Sequence, residues 1–501
     1  MKQLKFGWAE IDITPREKIA LDGEFFERVT NVVETPISVT AFAIERGEEQ
    51  CIICSCDLVE IYANLTQEVR RRISDTTIKK ECIIINASHT HNSYTYTHEN
   101  GFTNLTGSSL DVIKNFIPNG CEYISEENDA SALSPEVAFE FLVHKIVIAC
   151  ETAWKNKKTG YFANAFGRAA VGMNRRVCYA DGSAKMWGDV DKYNFVSLEG
   201  GNDNGLELLF VFDSDKKMTG IIANIACPSQ VMEQRSVISS DFWGKAKILL
   251  REKFGNELKI LPLCSAAGDQ CPRDLIRWVE PETPIKDPNV IRYNPKKRNA
   301  DPSMFDVNGT WKIGKRIATE IENVIQDGFD LCNDAVFTHK INNLQLPLRK
   351  VSIKEYRTAK KIIKLFFKKR KNVNYVDTAD LHVHAGTILR YNCQRKLKFI
   401  DVETHCIRLG DVAIWSNPFE LFLDYANVIR ARSEAKQTFI IQLACDCLGY
   451  LPTEKAEKGG HYSAYISSGV TGHEGGKILT EEAVKTIYEL FVNDMNLGEV
   501  K

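Results

Sequence analysis

No stretch of this chain approaches the ~18 consecutive apolar residues of a membrane-spanning helix. The opening MKQLKFGWAEIDITP also lacks the apolar segment of a secretory leader. The expectation is a soluble, cytoplasmic protein with no transmembrane segment. Charge of one sign is not in excess either: 64 basic residues stand against 66 acidic ones, a formal net charge of -2. Nothing global therefore points to a polyanion, and nucleic acid is disfavoured as a partner. A second C-x-x-C at a spacing that would complete a zinc knuckle with Cys51 and Cys54 is missing. The fifteen cysteines are odd in number and scattered through apolar runs, as expected of thiols kept reduced rather than of a disulfide framework. Internal repeats and low-complexity linkers are absent, so one large elaborated domain over 1–501 is expected. Histidine is scarce, ten in 501 residues, which makes any clustering of it informative.

What is present is an alternation of β-rich and amphipathic runs. ISVTAFAIE (37–45), CIICSCDLVEI (51–61) and ECIIINAS (81–88) read as strands, with a helix over 64–73 between the last two. Helical periodicity recurs over 136–155, 242–254, 311–328, 356–371, 419–432 and 481–495, and strands are expected at 219–227, 258–264, 405–416 and 438–445. Such interleaving predicts an α/β fold, a mixed sheet flanked by helices. Two irregular stretches follow the two best motifs: 92–133, rich in Asn, Ser, Thr and Gly, and 272–302, with six of the fifteen prolines. Both are expected to rim a site.

Three of the ten histidines fall in NASHTHNSYTYTH (86–98). If the strand continues past Ala87, His89 and His91 share a face and both imidazoles reach one cavity. Two histidines can begin a zinc site, although an H-x-H at a strand end is more often hydrogen-bonded structure. LCSAAGDQCPRDL (263–275) ends a strand in small residues. Gly268-Asp269 would let backbone approach a ligand, and Cys271 on the turn is a candidate nucleophile or acid–base group, or an ordinary buried thiol. In WSNPFELF (415–422), Glu420 is expected in the first turn of a helix, where the dipole favours a carboxylate with or without metal. GGHYSAY (459–465) presents His461, Tyr462 and Tyr465 in a glycine-flanked loop. Cys51, Cys54 and Cys56 mimic a zinc knuckle but lie in a strand-like run, so buried thiols are expected. LHVHAG (381–386) is a second H-x-H and an alternative ligand pair. The basic run at 356–371 has a stripe of Tyr356, Ala359, Ile363, Phe366 and Phe367, which suits packing against the protein with solvated lysines, or contact with a membrane surface or acidic partner.

Taken in order, these pieces resemble the catalytic N-terminal domain of the neutral/alkaline ceramidase family. The resemblance rests on FGWAEIDITP (6–15), CSCDL (54–58), ASHTHNS (87–93), GMNRR (172–176), ISSDFWG (238–244), AAGDQCP (266–272), NPFE (417–420) and GGHY (459–462). It implies zinc held by His89, Glu420 and Tyr462, with His91 lining the pocket, Arg175 near the substrate, and metal-assisted attack of water on an amide carbonyl. Three departures stand out. NIACPSQ (224–230) places Pro228 where the family has a second zinc histidine, a loss that His91, Cys227 or Asp241 would have to cover. Cys271 stands where the family has a serine. The immunoglobulin-like C-terminal domain is not expected here.

The resulting expectation is a zinc-dependent amidohydrolase acting on a small acylated substrate, in which Cys271 or Asp269 supports the reaction centre. Two rivals remain open: a metal-independent thiol hydrolase using Cys271 with His89 or His91 as base, and a non-catalytic binding module on the same fold.

Overall fold

The computed structural model describes all residues except 1–2, 25–26, 98–106, 125–130, 277, 280–298, 301–305, 369, 371 and 493–501. Alternating, β-branched apolar runs in the first half build an eight-stranded sheet. In chain order its strands are β1 (Lys5–Asp12), β2 (Ser38–Arg46), β3 (Glu49–Cys56), β4 (Ile83–Ala87), β5 (Lys158–Arg168), β6 (Gly205–Asp213), β7 (Met218–Ile225) and β8 (Lys259–Cys264). Their spatial order is β8-β7-β6-β5-β1-β2-β3-β4. Most neighbours are antiparallel, but β3 and β4 run parallel, as do β7 and β8. Parallel neighbours need a crossover. Helices α1 (Ala63–Arg72) and α3 (Asp241–Phe254) supply the two crossovers, and α2 (Pro135–Lys155) covers the sheet between them in sequence.

A second sheet is formed by β9 (Phe337–Pro347), β10 (Phe399–Leu409), β11 (Val412–Ser416) and β12 (Gln437–Ile441), in that spatial order. The run expected as one strand over 405–416 is thus a tight hairpin, because Gly410 at φ 60 turns the chain. β11 and β12 are parallel. The helices of this half are α4 (Asp306–Asp327), α5 (Ile353–Phe367), α6 (Leu381–Cys393), α7 (Leu423–Arg432, the β11–β12 crossover) and α8 (His473–Val492). None of the described helices is long and apolar enough to cross a membrane.

One apolar core joins the two sheets. Phe6, Phe42, Ile53, Leu209 and Leu261 of the first sheet pack with Phe337, Ile407, Ile414 and Phe439 of the second. Each buried side chain of this size stabilises the fold by ~1.5–3 kcal/mol. The first sheet also curls on itself: the Ser55 hydroxyl on β3, the strand next to one edge, donates to the Pro262 carbonyl on β8 at the other edge. This curl brings the carboxyl ends of β3, β4, β7 and β8 together. Gln442, just beyond β12, donates its N–H to Cys264 O at 3.1 Å and accepts from Ala267 N at 3.0 Å, adding the ends of the second sheet. Ligands of open α/β folds sit at such carboxyl ends.

The mixed sheets flanked by helices confirm the α/β expectation. Three local expectations are corrected. LHVHAG lies in α6, where residues two apart point to different sides, and His382 is held by Ser109 Oγ at 2.7 Å. The helix expected from 419 begins at Leu423, and Glu420 lies in a two-residue strand. The stretch 92–133 does not simply form a rim: Tyr94 and Tyr96 are buried in the core. Beyond them a short helix, Ser109–Lys114, and a strand, Glu122–Ile124, pack with α5 and α6 as an outer layer. Most of 272–302 and also His98 lie outside the described residues.

Candidate active site

β4 ends at Ala87, and the chain does not continue extended. His89 has φ 62, in the left-handed region, a conformation that costs a non-glycine residue ~1–3 kcal/mol. The shared-face argument for His89 and His91 therefore fails, yet the turn still brings the two rings together, centroids 5.1 Å apart and nearly perpendicular. Surrounding backbone fixes this turn: Ser229 N donates to His89 O at 3.0 Å, His91 N to Ser229 O at 3.1 Å, and Thr90 N to Leu58 O at 3.0 Å. The buried Arg28 guanidinium adds a bond to His91 O at 2.8 Å. Gly23, at φ 94, allows the opposite loop to approach, since a Cβ there would lie 3.0 Å from His91 Cα.

His89 Nδ1 lies 2.5 Å from the Val59 carbonyl. A carbonyl only accepts, so the proton sits on Nδ1 and the Nε2 lone pair faces inward, the arrangement of a metal-binding imidazole. Nε2 is 3.3 Å from Glu420 Oε2. That oxygen is buried and has no partner in hydrogen-bond geometry. Burial alone would push the His89 imidazole down, but the Glu420 carboxylate and the Val59 carbonyl hold it above its usual range. The pair attracts positive charge between its members, which a proton or a divalent cation satisfies.

His91 behaves oppositely. Burial, then the neighbouring His89, Arg28 and Arg175, push its imidazole well down, so it stays neutral. Both ring nitrogens are buried without a hydrogen-bond partner. Nδ1 lies 3.7 Å from Glu233 Oε2, and the ligand atoms of Glu24, His91 and Glu233 all fall within 4.8 Å of one another.

Glu420 is delivered by the turn Asn417-Pro418 after β11 and by a parallel pairing of Glu420–Leu421 with Tyr450–Leu451. Gly268 packs against this pair: a Cβ there would meet Glu420 O at 2.4 Å. The close approach expected of Gly268 is thus to the Glu420 backbone. Across the strand pair, Tyr450 OH donates to Tyr462 OH at 3.4 Å. Burial, then the Glu420 charge, push the Tyr462 phenol up. Arg175 is buried and donates to Gln230 Oε1 at 3.1 Å, Gly268 O at 3.1 Å and Tyr450 OH at 3.3 Å. Its Nε has no partner.

The remaining expected residues sit behind this group. Asp269 accepts from Leu423 N at 2.9 Å and from Asn174 Nδ2 at 2.9 Å, holding the first residue of α7. Cys271 is not on an open turn: it lies in a buried two-residue strand with Met173–Asn174, and its thiol donates to Arg273 O at 3.2 Å. Burial pushes that thiol up to about 12. Pro228 lies against the histidine turn through Ser229. Of the side chains considered as substitutes for the absent histidine, Asp241 accepts from Met232 N and Phe242 N, and Cys227 donates to Pro228 O at 3.4 Å. Only His91 presents unpartnered nitrogens.

Sequence reasoning missed Asp22, Glu24, Glu60, Glu233, Gln230 and Tyr450. Burial, then the Asp22 charge, push Glu60 up to about 7, and it accepts from Cys447 Sγ at 2.6 Å. Glu233 lies five residues after Pro228, beside Arg175 through Gln230. The one available signal was Gln230 and Glu233 themselves, polar residues that follow the strand Met218–Ile225 and Pro228.

His89 and Glu420 are spaced as two ligands of one zinc ion would be. Two ligands bound at ~2.0–2.2 Å to one tetrahedral zinc lie ~3.3–3.6 Å apart, and the 3.3 Å between His89 Nε2 and Glu420 Oε2 falls in that range. A second cluster, Glu403, His405 and Cys445, has its ligand atoms within the same 4.8 Å limit, but Arg70 bonds both Glu403 oxygens at 3.0 and 2.8 Å and already supplies the positive charge there.

No family model and no curated protein matches this chain. Among solved structures, the neutral ceramidase from Pseudomonas aeruginosa is similar with a TM-score of 0.65 and 14% identity, covering 98% of this chain and 75% of that one. A ceramidase complexed with C2 is similar with a TM-score of 0.65 and 12% identity, with the same coverage of 98% and 75%. Over nearly its whole length, this chain has the neutral-ceramidase fold.

Proposed function

We propose that the chain is a zinc-dependent hydrolase that cleaves the amide bond of a small acylated, lipid-like molecule. The observation that carries this reading is the 3.3 Å approach of His89 Nε2 to an unpartnered Glu420 oxygen, with the imidazole oriented by Val59. His89, Glu420 and Tyr462 would hold the metal. Bound there, zinc supplies Lewis acidity towards an amide carbonyl and activation of water. The protein's own groups do the rest. Glu60, poised near 7 and bonded to Tyr62 and Cys447, is the group able to take and return a proton, while His91, kept neutral, offers unpartnered nitrogens to the pocket. Arg175 holds Tyr450 and thereby Tyr462, and its free Nε–H is the donor left for substrate.

The buried, protonated Cys271 argues against the thiol-hydrolase alternative, since the nucleophile must be a thiolate. Likeness of fold to proteins named ceramidases supports the amide reading and a lipid-like substrate, and fifteen free cysteines support a reducing, cytoplasmic setting. Elemental analysis of the purified chain tests the proposal. We expect about one zinc per chain, falling at least tenfold in His89→Ala and in Glu420→Gln, together with hydrolysis of N-acyl compounds that chelators abolish. A chain that holds no zinc and hydrolyses none of them would instead be the binding module.

A further inference from the structure

We infer that the outer face of α5 docks on the anionic surface of a lipid bilayer. Residues 354–371 carry nine Lys and Arg against one acid, Glu355, in a chain whose net charge is -2. Within the helix, the fold fixes how Lys354, Arg357, Lys360, Lys361 and Lys364 are displayed. A capping box starts the helix, with Glu355 N donating to Ser352 Oγ at 3.2 Å and Ser352 N to Glu355 Oε2 at 2.8 Å. Ala359, Ile363 and Phe367 then bury one stripe against Ile113, Leu381 and Ile388. The opposite face is left to the cations. Elsewhere lysines on helices find carboxylates, as Lys253 does with Glu322 and Lys458 with Glu454. Among the described residues, no carboxylate pairs with Arg357, Lys360, Lys361, Lys364 or Lys368, Lys360 reaching only its own helix's Tyr356 OH at 3.3 Å.

These cations border a groove of about 800 Å³ whose apolar members include Phe116, Pro118 and Leu365. Leu365 is 56% exposed between Lys361, Lys364 and Lys368. An apolar side chain ringed by flexible ammonium groups suits the boundary between headgroups and acyl chains, where each basic residue near an anionic surface adds ~1 kcal/mol. Nucleic acid fits less well. Strand binding stacks bases on free aromatic faces, whereas the Tyr356 ring at the groove is already stacked on Tyr391, centroids 4.2 Å apart, and Phe366 and Phe367 pack within the layer. The surface shares no residue with the His89–Glu420 site, so the inference stands whether or not the proposed reaction does. It nevertheless lies one helix from that site's rim: α5 packs on α6, whose Arg390 donates to Gly469 O at 2.9 Å, seven residues beyond Tyr462.

The test is flotation of the full chain with vesicles of phosphatidylcholine alone or with phosphatidylserine, at physiological ionic strength. Binding is expected only with phosphatidylserine. It should fall on the order of a hundredfold in the triple variant Lys360→Gln, Lys361→Gln, Lys364→Gln, and about tenfold in Leu365→Gln. The triple Lys→Arg variant should retain it, which separates charge from misfolding. Absence of binding to the anionic vesicles, equal binding by the glutamine variant, or indifference to Leu365→Gln with tighter binding to polyuridylate would each overturn the inference.

Discussion

At the residue scale, chemistry here follows from which atoms already have partners. His89 has one nitrogen on a carbonyl and the other facing a carboxylate, so its ring has a single useful orientation. Asp269 has both oxygens engaged, so it acts on α7 and on Asn174 rather than on a ligand. Cys271 separates the rival reactions most sharply. With its thiol pushed up to about 12 by burial, it should resist iodoacetamide at pH 8 in the folded protein. Cys271→Ala should leave hydrolysis within about threefold of the parent, the size of effect a repacked buried thiol produces, where loss of a nucleophile costs orders of magnitude. Alkylation of Cys271 that tracks loss of activity would contradict this assignment.

At the element scale, short pairings matter more than the long strands. The two-residue strand Glu420–Leu421 aims the carboxylate, and the Gly268 loop rests on it with no room for a side chain. Gly268→Ala would place a methyl 2.4 Å from Glu420 O, against backbone that cannot swing aside. We expect a loss of about 2–3 kcal/mol in urea unfolding and, in the same samples, weakened zinc retention, because the loop must push the ligand strand away. A variant with parental stability and metal content would show that the pairing is looser than described. Long periodic elements, such as α2 and the strands around 37–45 and 81–88, were legible in the sequence because burial imposes a regular pattern on them. Glu420–Leu421 was not: two residues carry no period, and their pairing partner lies thirty positions away at Tyr450.

At the scale of the whole molecule, the convergence of strand ends concentrates buried carboxyls, and this makes global stability depend on pH. Asp241, fully buried, is the clearest case outside the His89–Glu420 pair. Burial pushes its carboxyl from 3.8 up to about 7, despite bonds from Met232 N and Phe242 N. The unfolded chain loses this proton from about pH 4 upward while the folded one retains it to about 7. Folding therefore keeps the full contribution at lower pH and loses on the order of 4 kcal/mol as pH rises across that window. Asp241→Asn can accept only one of the two backbone bonds, a pH-independent cost of ~1–3 kcal/mol, yet it should remove most of this slope. Urea unfolding of both proteins at pH 5 and pH 8 measures the difference, and parallel pH profiles would refute the assignment.

The sequence by itself determined the class of fold and the chemical types available to the site. Hydrophobic period and strand-ending motifs are local properties, written in consecutive residues and imposed by burial. Only the tertiary structure decided which motifs meet. The curl of the first sheet and the packing of the second against it set His89 and Glu420 3.3 Å apart across 331 positions of chain. They turned the Gly268 loop onto Glu420, buried Cys271, and set Glu233 beside His91. Such contacts depend on long-range burial and on the direction of the connections, and no window of neighbouring residues contains them.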